Sequence, residues 1–179
     1  FKSIFWLEYI HRLWGRIIGL ALLVPFLYFL FKGWLNRSLL FKLMFIFVLG
    51  IAQGLLGWFM VKSGLVERPD VSHYRLTGHL GLAVIIYGYM FWTALGLLRR
   101  QTQKIRPVSN GLRRLTAATL AWLLLTILAG GLVAGLDAGF TYNTFPLMDG
   151  RLVPDGLFRI TPFYLNFFEN VTTVQFEHR

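Results

Sequence analysis

Three uncharged apolar runs constrain this chain more than any other feature: Leu43 to Val61, Leu76 to Leu98 and Leu115 to Leu136, of 19, 23 and 22 residues. A helix of about 20 apolar residues crosses the roughly 30 Å hydrocarbon core of a bilayer. Lipid offers no water to backbone amides, so each run must pair its own N–H and C=O groups. A helix does so, and unbroken apolar blocks do not suit the alternating strands of a membrane barrel. A fourth run, Ile17 to Phe31, has only 15 residues. It reaches span length if its helix starts near Trp6 and carries Glu8, Arg12 and Arg16 in its first turns. The expected spans are therefore about 6–31, 43–61, 76–98 and 115–136, with another helix opening over 170–179.

Composition agrees. Of 179 residues, 56% are hydrophobic and 15% charged, and the mean hydropathy is +0.59. A soluble domain carries about 25% charged residues. A water-soluble enzyme, a disordered tail and a nucleic-acid module are poor readings despite the net charge of +10, and no nucleic-acid partner is expected. The chain has no cysteine, which removes thiolate metal sites, disulfides and cysteine nucleophiles. It opens at Phe1 without a starting Met and reads as a fragment.

The connections alternate in charge. Segments 32–42 and 99–114 are basic and hold no acid, whereas all eight acids fall in 1–16, 62–75 and 137–179. Short basic loops stay in the cytoplasm or the mitochondrial matrix, so the first span should run from outside to inside. The raw Lys/Arg count is even, nine on each side, but Arg12, Arg16, Arg75 and Arg179 sit at helix starts rather than in free loops. The outer segment 137–169, rich in proline and aspartate, reads as an ordered loop with short surface helices. Asn36-Arg37-Ser38 and Asn170-Val171-Thr172 match an N-glycosylation pattern, but nothing suggests a secretory route.

A weak internal repeat is present. Leu7-Glu8-Tyr9-Ile10-His11-Arg12 resembles Val174-Gln175-Phe176-Glu177-His178-Arg179 at an offset of 167 residues, the length of about four helices and their loops. The fold class expected is thus all-α: a polytopic transmembrane helix bundle, part of a duplicated four-plus-four helix protein. Residues 1–98 would belong to the amino-terminal half-bundle, 99–114 to an inner basic loop and 115–179 to the start of the carboxy-terminal half-bundle. One helix would precede residue 1 and two more would follow Arg179.

All four histidines, His11, His73, His79 and His178, lie on the outer side. Ionisable groups at membrane depth are costly and are functional candidates by default, although a single one can serve as an interhelical hydrogen bond. Zinc prefers three or four clustered ligands, which one His per helix does not signal. Haem needs an axial ligand on each face, and His11 and His79 sit near the outer ends of two spans that run the same way. Gly15 and Gly19 follow His11 by four and eight residues, on nearly the same face, where a flat porphyrin needs small neighbours. Arg12, Arg16 and Arg75 share that depth and would pair with propionates, or else reach lipid phosphates. Glu8 precedes His11 by one turn. It can hydrogen-bond the ligand, move a proton or stabilise developing positive charge; its plain alternative is a helix-dipole acid. Gly50-xxx-Gly54 and Gly131-xxx-Gly135 read as helix-packing faces, and Trp6, Trp34 and Trp58 as interface residues.

Taken in order, several motifs resemble the haem A synthase family, in the form found in mitochondria and many proteobacteria. They are Leu7-Glu8-Tyr9-Ile10-His11-Arg12-Leu13-Trp14-Gly15-Arg16, Gln53-Gly54-Leu55-Leu56-Gly57-Trp58, Val71-Ser72-His73-Tyr74-Arg75-Leu76, Gly78-His79-Leu80, Ala134-Gly135-Leu136-Asp137-Ala138-Gly139, Tyr142-Asn143-Thr144-Phe145-Pro146 and the stretch from Phe168 to Arg179. The resemblance covers nearly the whole chain. It implies an eight-helix protein that oxidises the C8 methyl of haem O to the formyl of haem A for terminal cytochrome oxidase. This chain would hold helices two to five and the start of six. His11 and His79 would be the axial pair of the substrate haem, Glu8 the acid of the chemistry, and His178 a ligand of a haem b whose second ligand lies beyond Arg179. His73 stands where the family commonly has glutamine, so it is not counted as a ligand. The paired loop cysteines of some bacterial relatives are missing, which excludes a thiol electron input. Implied partners are haem O, an unidentified electron donor, haem O synthase, terminal-oxidase assembly factors and the bilayer; a homo-oligomer stays open. The implied location is a bacterial cytoplasmic or mitochondrial inner membrane. Two other readings compete: a b-type cytochrome module that only binds haem or carries electrons, and a helix-bundle assembly protein with histidines as interhelical glue.

Overall fold

The computed structural model describes residues 2–67, 71–99 and 108–179. Residues 100–107 of the expected inner loop 99–114 lie outside them, as does Asp70 among the acids. Four long helices dominate: α1 (Lys2–Phe31), α2 (Arg37–Glu67), α3 (His73–Leu98) and α4 (Asn110–Gly135). All four are long and apolar enough to cross a membrane. Two short helices follow, α5 (Asn166–Glu169) and α6 (Val171–His178), with 3-10 turns at Ala138–Phe140 and Phe163–Leu165. Among the described residues the only β pairing is one isolated bridge between Met148 and Arg151. The chain is a multi-pass, all-α membrane protein.

The helices overrun the uncharged runs, α2 most of all: it begins at Arg37 rather than near 43. The reason is local chemistry. The Asn36 side-chain oxygen accepts from the Leu39 N–H at 2.8 Å, satisfying one of the free amides of the first turn. Lys42 then rides inside the helix, its apolar stem along lipid and its head at the interface. Ser109 caps α4 through the Leu112 N–H at 3.3 Å, and Asn170 caps α6 through the Thr173 N–H at 3.1 Å. The two asparagines of the glycosylation patterns are thus both helix caps. At the other end of α1, Gly33 takes φ +68°. Its N–H reaches the Leu30 carbonyl at 3.0 Å and the Trp34 N–H reaches that of Phe29 at 3.1 Å, closing α1 in a Schellman turn.

Packing is uneven. The largest interfaces are α3 with α4 and then α2 with α3, while α1 meets α2 only lightly. The α3–α4 seam depends on absent side chains. A Cβ at Gly131 would lie 3.0 Å from Thr77 Oγ1, and one at Gly135 would lie 2.6 Å from both Cα and Cβ of His73. The expected packing face at Gly131-xxx-Gly135 is therefore present. At Gly50-xxx-Gly54 a Cβ on either glycine would meet nothing within 4 Å among the described residues, and α2 turns Gln53 and Gly57 toward α3 instead.

Helix α1 stands off from its neighbours. Of Phe5–Phe31, only Leu22 and Phe26 escape full exposure. Phe26 packs edge-on against Phe47 of α2, ring centroids 5.0 Å apart. At 100° per residue, Leu22 and Phe26 lie on the stripe of α1 that also holds His11, Gly15 and Gly19. Those glycines therefore face the bundle, yet a Cβ on either would meet nothing within 4 Å. A slot opens there between α1 and its neighbours.

The outer loop is ordered by buried asparagines. Asn166 is fully buried; its amide donates to the carbonyls of Ile160 (2.7 Å) and Phe163 (2.8 Å), and its oxygen accepts from the Ile160 N–H (2.8 Å). Asn170 donates to the Gly156 carbonyl at 3.0 Å. These bonds fold the loop onto α6, with Met148 and Val174 buried beneath it.

Candidate haem-binding site

Helices α1 and α3 bring His11 and His79 face to face across the top of the slot. Their ring centroids are 6.4 Å apart and their planes tilted by 60°. Two imidazoles on one metal ion, with metal–nitrogen bonds of about 2 Å plus the ring radii, need a centroid separation of roughly 6 Å. The pair therefore has the spacing for a single ion between two axial ligands. Among the described residues no group of three or more His, Asp or Glu side chains could enclose a metal. An ion held on one axis by two protein ligands suits a metal that brings its own equatorial plane, as haem iron does. On the same face of α1, a Cβ on Gly15 or Gly19 would meet nothing within 4 Å.

The surroundings of His79 are built by α2. Gln53 donates its amide to the His79 carbonyl at 3.0 Å, tying α2 to α3 at the level of the ring. The ring itself lies on Gly57, where a Cβ would stand 3.0 Å from Cε1. His79 Nδ1 is buried and has no hydrogen-bond partner among the described residues. One turn before His79, the Arg75 guanidinium lies 4.4 Å from the centre of the Phe59 ring on α2. Arg75 is thus held at the depth of the histidine pair. Gln53, Gly57 and Phe59 belong to the motif Gln53 to Leu65 that carries the family resemblance, which by itself gives none of them a role.

Glu8 is not bonded to His11. Its carboxylate forms an ion pair with Arg12, one turn on. Arg12, expected to meet a propionate, is in this structure paired with Glu8 at i to i+4 spacing. Arg16 lies one further turn along α1.

His178 occupies a separate place. Its ring packs on Gly130 of α4, where a Cβ would lie 2.9 Å from Cε1. Thr77 touches the adjacent Gly131, so His178 and His79 lie at similar depth in the bundle. Arg179 donates to the outer-loop carbonyls of Tyr142 (3.0 Å), Thr144 (2.8 Å) and Leu147 (3.1 Å), and Gln175 also donates to Tyr142 (2.9 Å). The two His-Arg pairs of the repeat therefore differ: Arg12 faces a carboxylate and Arg179 a cage of carbonyls. His73 opens α3, its ring 4.1 Å from that of Tyr74, and contributes its backbone to the Gly135 contact rather than facing the pair. Tyr74 donates to Glu169 at 2.8 Å, joining α3 to α5.

The profile of COX15-CtaA, cytochrome oxidase assembly protein, matches residues 1–179. A protein of Nitrosospira multiformis named heme A synthase is 56% identical over 182 residues, covering 100% of this chain and 51% of that protein. Heme A synthase of Parvibaculum lavamentivorans is 51% identical over 179 residues, with the same coverage of 100% and 51%. Heme A synthase COX15 of Bos taurus is 48% identical over 187 residues, covering 100% of this chain and 45% of that protein. The chain thus spans about half the length of the curated relatives it matches. No solved structure matches.

Proposed function

The chain belongs to the COX15-CtaA family of cytochrome oxidase assembly proteins, and from that premise we propose that it carries the substrate-oxidising half of a haem A synthase. The reaction is oxidation of the C8 methyl group of haem O to a formyl group within the bilayer. The observation that carries the proposal is the His11–His79 pair, whose ring centroids two different helices set 6.4 Å apart.

On this reading His11 and His79 hold the substrate iron from its two faces. Gly15 and Gly19 leave room for the macrocycle, and Arg16 and Arg75 meet its propionates. Arg12 pairs with the Glu8 carboxylate along α1, one turn from the His11 ligand. The bound iron supplies the redox chemistry, and the protein supplies orientation and charge. Loss of hydride from a methyl group, or of a hydrogen atom and then an electron, leaves positive charge on its carbon, which the Glu8 carboxylate would stabilise. His178 would hold a haem b in the other half.

The test is spectroscopic. In the complete protein loaded with haem O, His11→Ala and His79→Ala should each abolish the six-coordinate low-spin signature of the substrate site. Its survival in both variants would place the substrate elsewhere. The b-type cytochrome reading shares the histidine pair, and the Glu8–Arg12 ion pair separates the two, since electron transfer alone needs no carboxylate beside the ligand.

A further inference from the structure

A metal-bound imidazole is ordinarily oriented by a hydrogen bond from its second nitrogen to a carboxylate or carbonyl. His79 has no such anchor: its Nδ1 is buried without a partner among the described residues. What touches the ring is Gly57 of α2. A Cβ there would lie 3.0 Å from Cε1, 3.6 Å from Nδ1 and 3.8 Å from Nε2. His178, on another helix, meets Gly130 of α4 in the same way, with a Cβ 2.9 Å from Cε1, 3.5 Å from Nε2 and 3.6 Å from Nδ1. In both cases the glycine takes the corner of the ring between its two nitrogens. The match joins residues unrelated by the 167-residue repeat, which pairs His178 with His11 rather than with His79. It is therefore a recurring contact and not a copied one.

We propose that Gly57 and Gly130 are positioning residues: each is a seat on the neighbouring helix that fixes the plane of an iron-ligating imidazole by contact. This deepens the reading of His79 and His178 as haem ligands and rests on it. Cε1 sits between the two nitrogens, so a displacement at that corner moves the ligating nitrogen and rotates the ring. A Cβ at 2.9–3.0 Å is tighter than ordinary contact, so an added methyl must turn the ring or push the helix back. Gln53, bonded to the His79 carbonyl, holds α2 against α3 at this level and makes turning the ring the easier response.

In the complete protein with haem in both halves, the electron paramagnetic resonance spectrum of low-spin ferric haem reports the mutual angle of the two axial imidazoles at each iron. Gly57→Ala should shift the largest g value of one haem and leave the other in place, and Gly130→Ala should do the converse. Gly54→Ala, one turn away with nothing within 4 Å of the new methyl, should shift neither. A purely structural role for these glycines would lower stability without moving a g value. If both alanine variants bind both haems with unchanged g values, the seats do not orient the rings. If the unaltered protein shows no low-spin haem, it is the haem-binding reading that fails. Should the alanine variants not accumulate, His79→Gly supplemented with free imidazole gives the same answer. A ring without a backbone tether should recover the native g value if Gly57 sets its plane, and a different value overturns the proposal.

Discussion

Glu8 and His11 are one turn apart on α1, yet the carboxylate pairs with Arg12. That pairing holds the acid along α1 within one turn of the ligand. Its benefit arises mainly as charge develops, so its loss should slow the reaction more than it weakens binding. Glu8→Gln in the complete protein should keep its haem and lower turnover by about 10²–10³, with haem O or a hydroxylated intermediate accumulating in extracted pigments. Normal haem A output from that variant would return Glu8 to the helix-dipole role. At this scale the sequence was informative wherever a residue was costly in its setting. His11 and His79 stand out because imidazoles in apolar spans need a reason. Gly57, Gly130 and Gln53 do not, because their roles depend on what lies across from them on another helix. The partner of Glu8 was likewise open, since spacings of three and four residues both place side chains on one face.

Helices were legible because an uncharged run long enough to cross lipid has little alternative to helix. Their ends were less so: the caps at Asn36, Ser109 and Asn170 extend or begin helices at polar residues that a hydropathy criterion discards. Small-residue faces show the limit most clearly. Gly131-xxx-Gly135 and Gly50-xxx-Gly54 have the same pattern, but only the first is pressed against a neighbour. Gly135→Ala should therefore destabilise the α3–α4 seam by about 1–3 kcal/mol through overpacking, seen as a lower thermal midpoint in detergent, while Gly50→Ala should leave it unchanged. Equal effects would mean that the seam does not depend on the close approach at His73. The outer loop could be recognised from its prolines and aspartates, but not the way it is tied. Asn170→Ala removes the α6 cap and the bond to Gly156, and should cost about 1 kcal/mol at the cap alone. Faster proteolysis within 137–169 would report it; unchanged cleavage would show that Asn166 suffices to hold the loop.

Across the whole molecule, α1 is the loosely attached element, and the slot it leaves ends at the histidine pair. The charge pattern assigns that end to the outside. Reporter fusions at Ser109 and Asp149 in the complete protein should label opposite sides of the membrane, and labelling on one side would overturn the assigned orientation. The all-α, multi-pass architecture and the family were legible from sequence. The paired geometry of His11 and His79 was an expectation that only three-dimensional placement could test, because it depends on α1 and α3 meeting at one depth while remaining apart below. The central claim is that this pair holds the haem whose methyl group is oxidised. It is tested most directly by extracting haem from cells that depend on the complete protein, unaltered or carrying His79→Ala. The unaltered protein should yield haem A and the variant haem O alone; haem A at the normal level from His79→Ala would contradict this role for the pair.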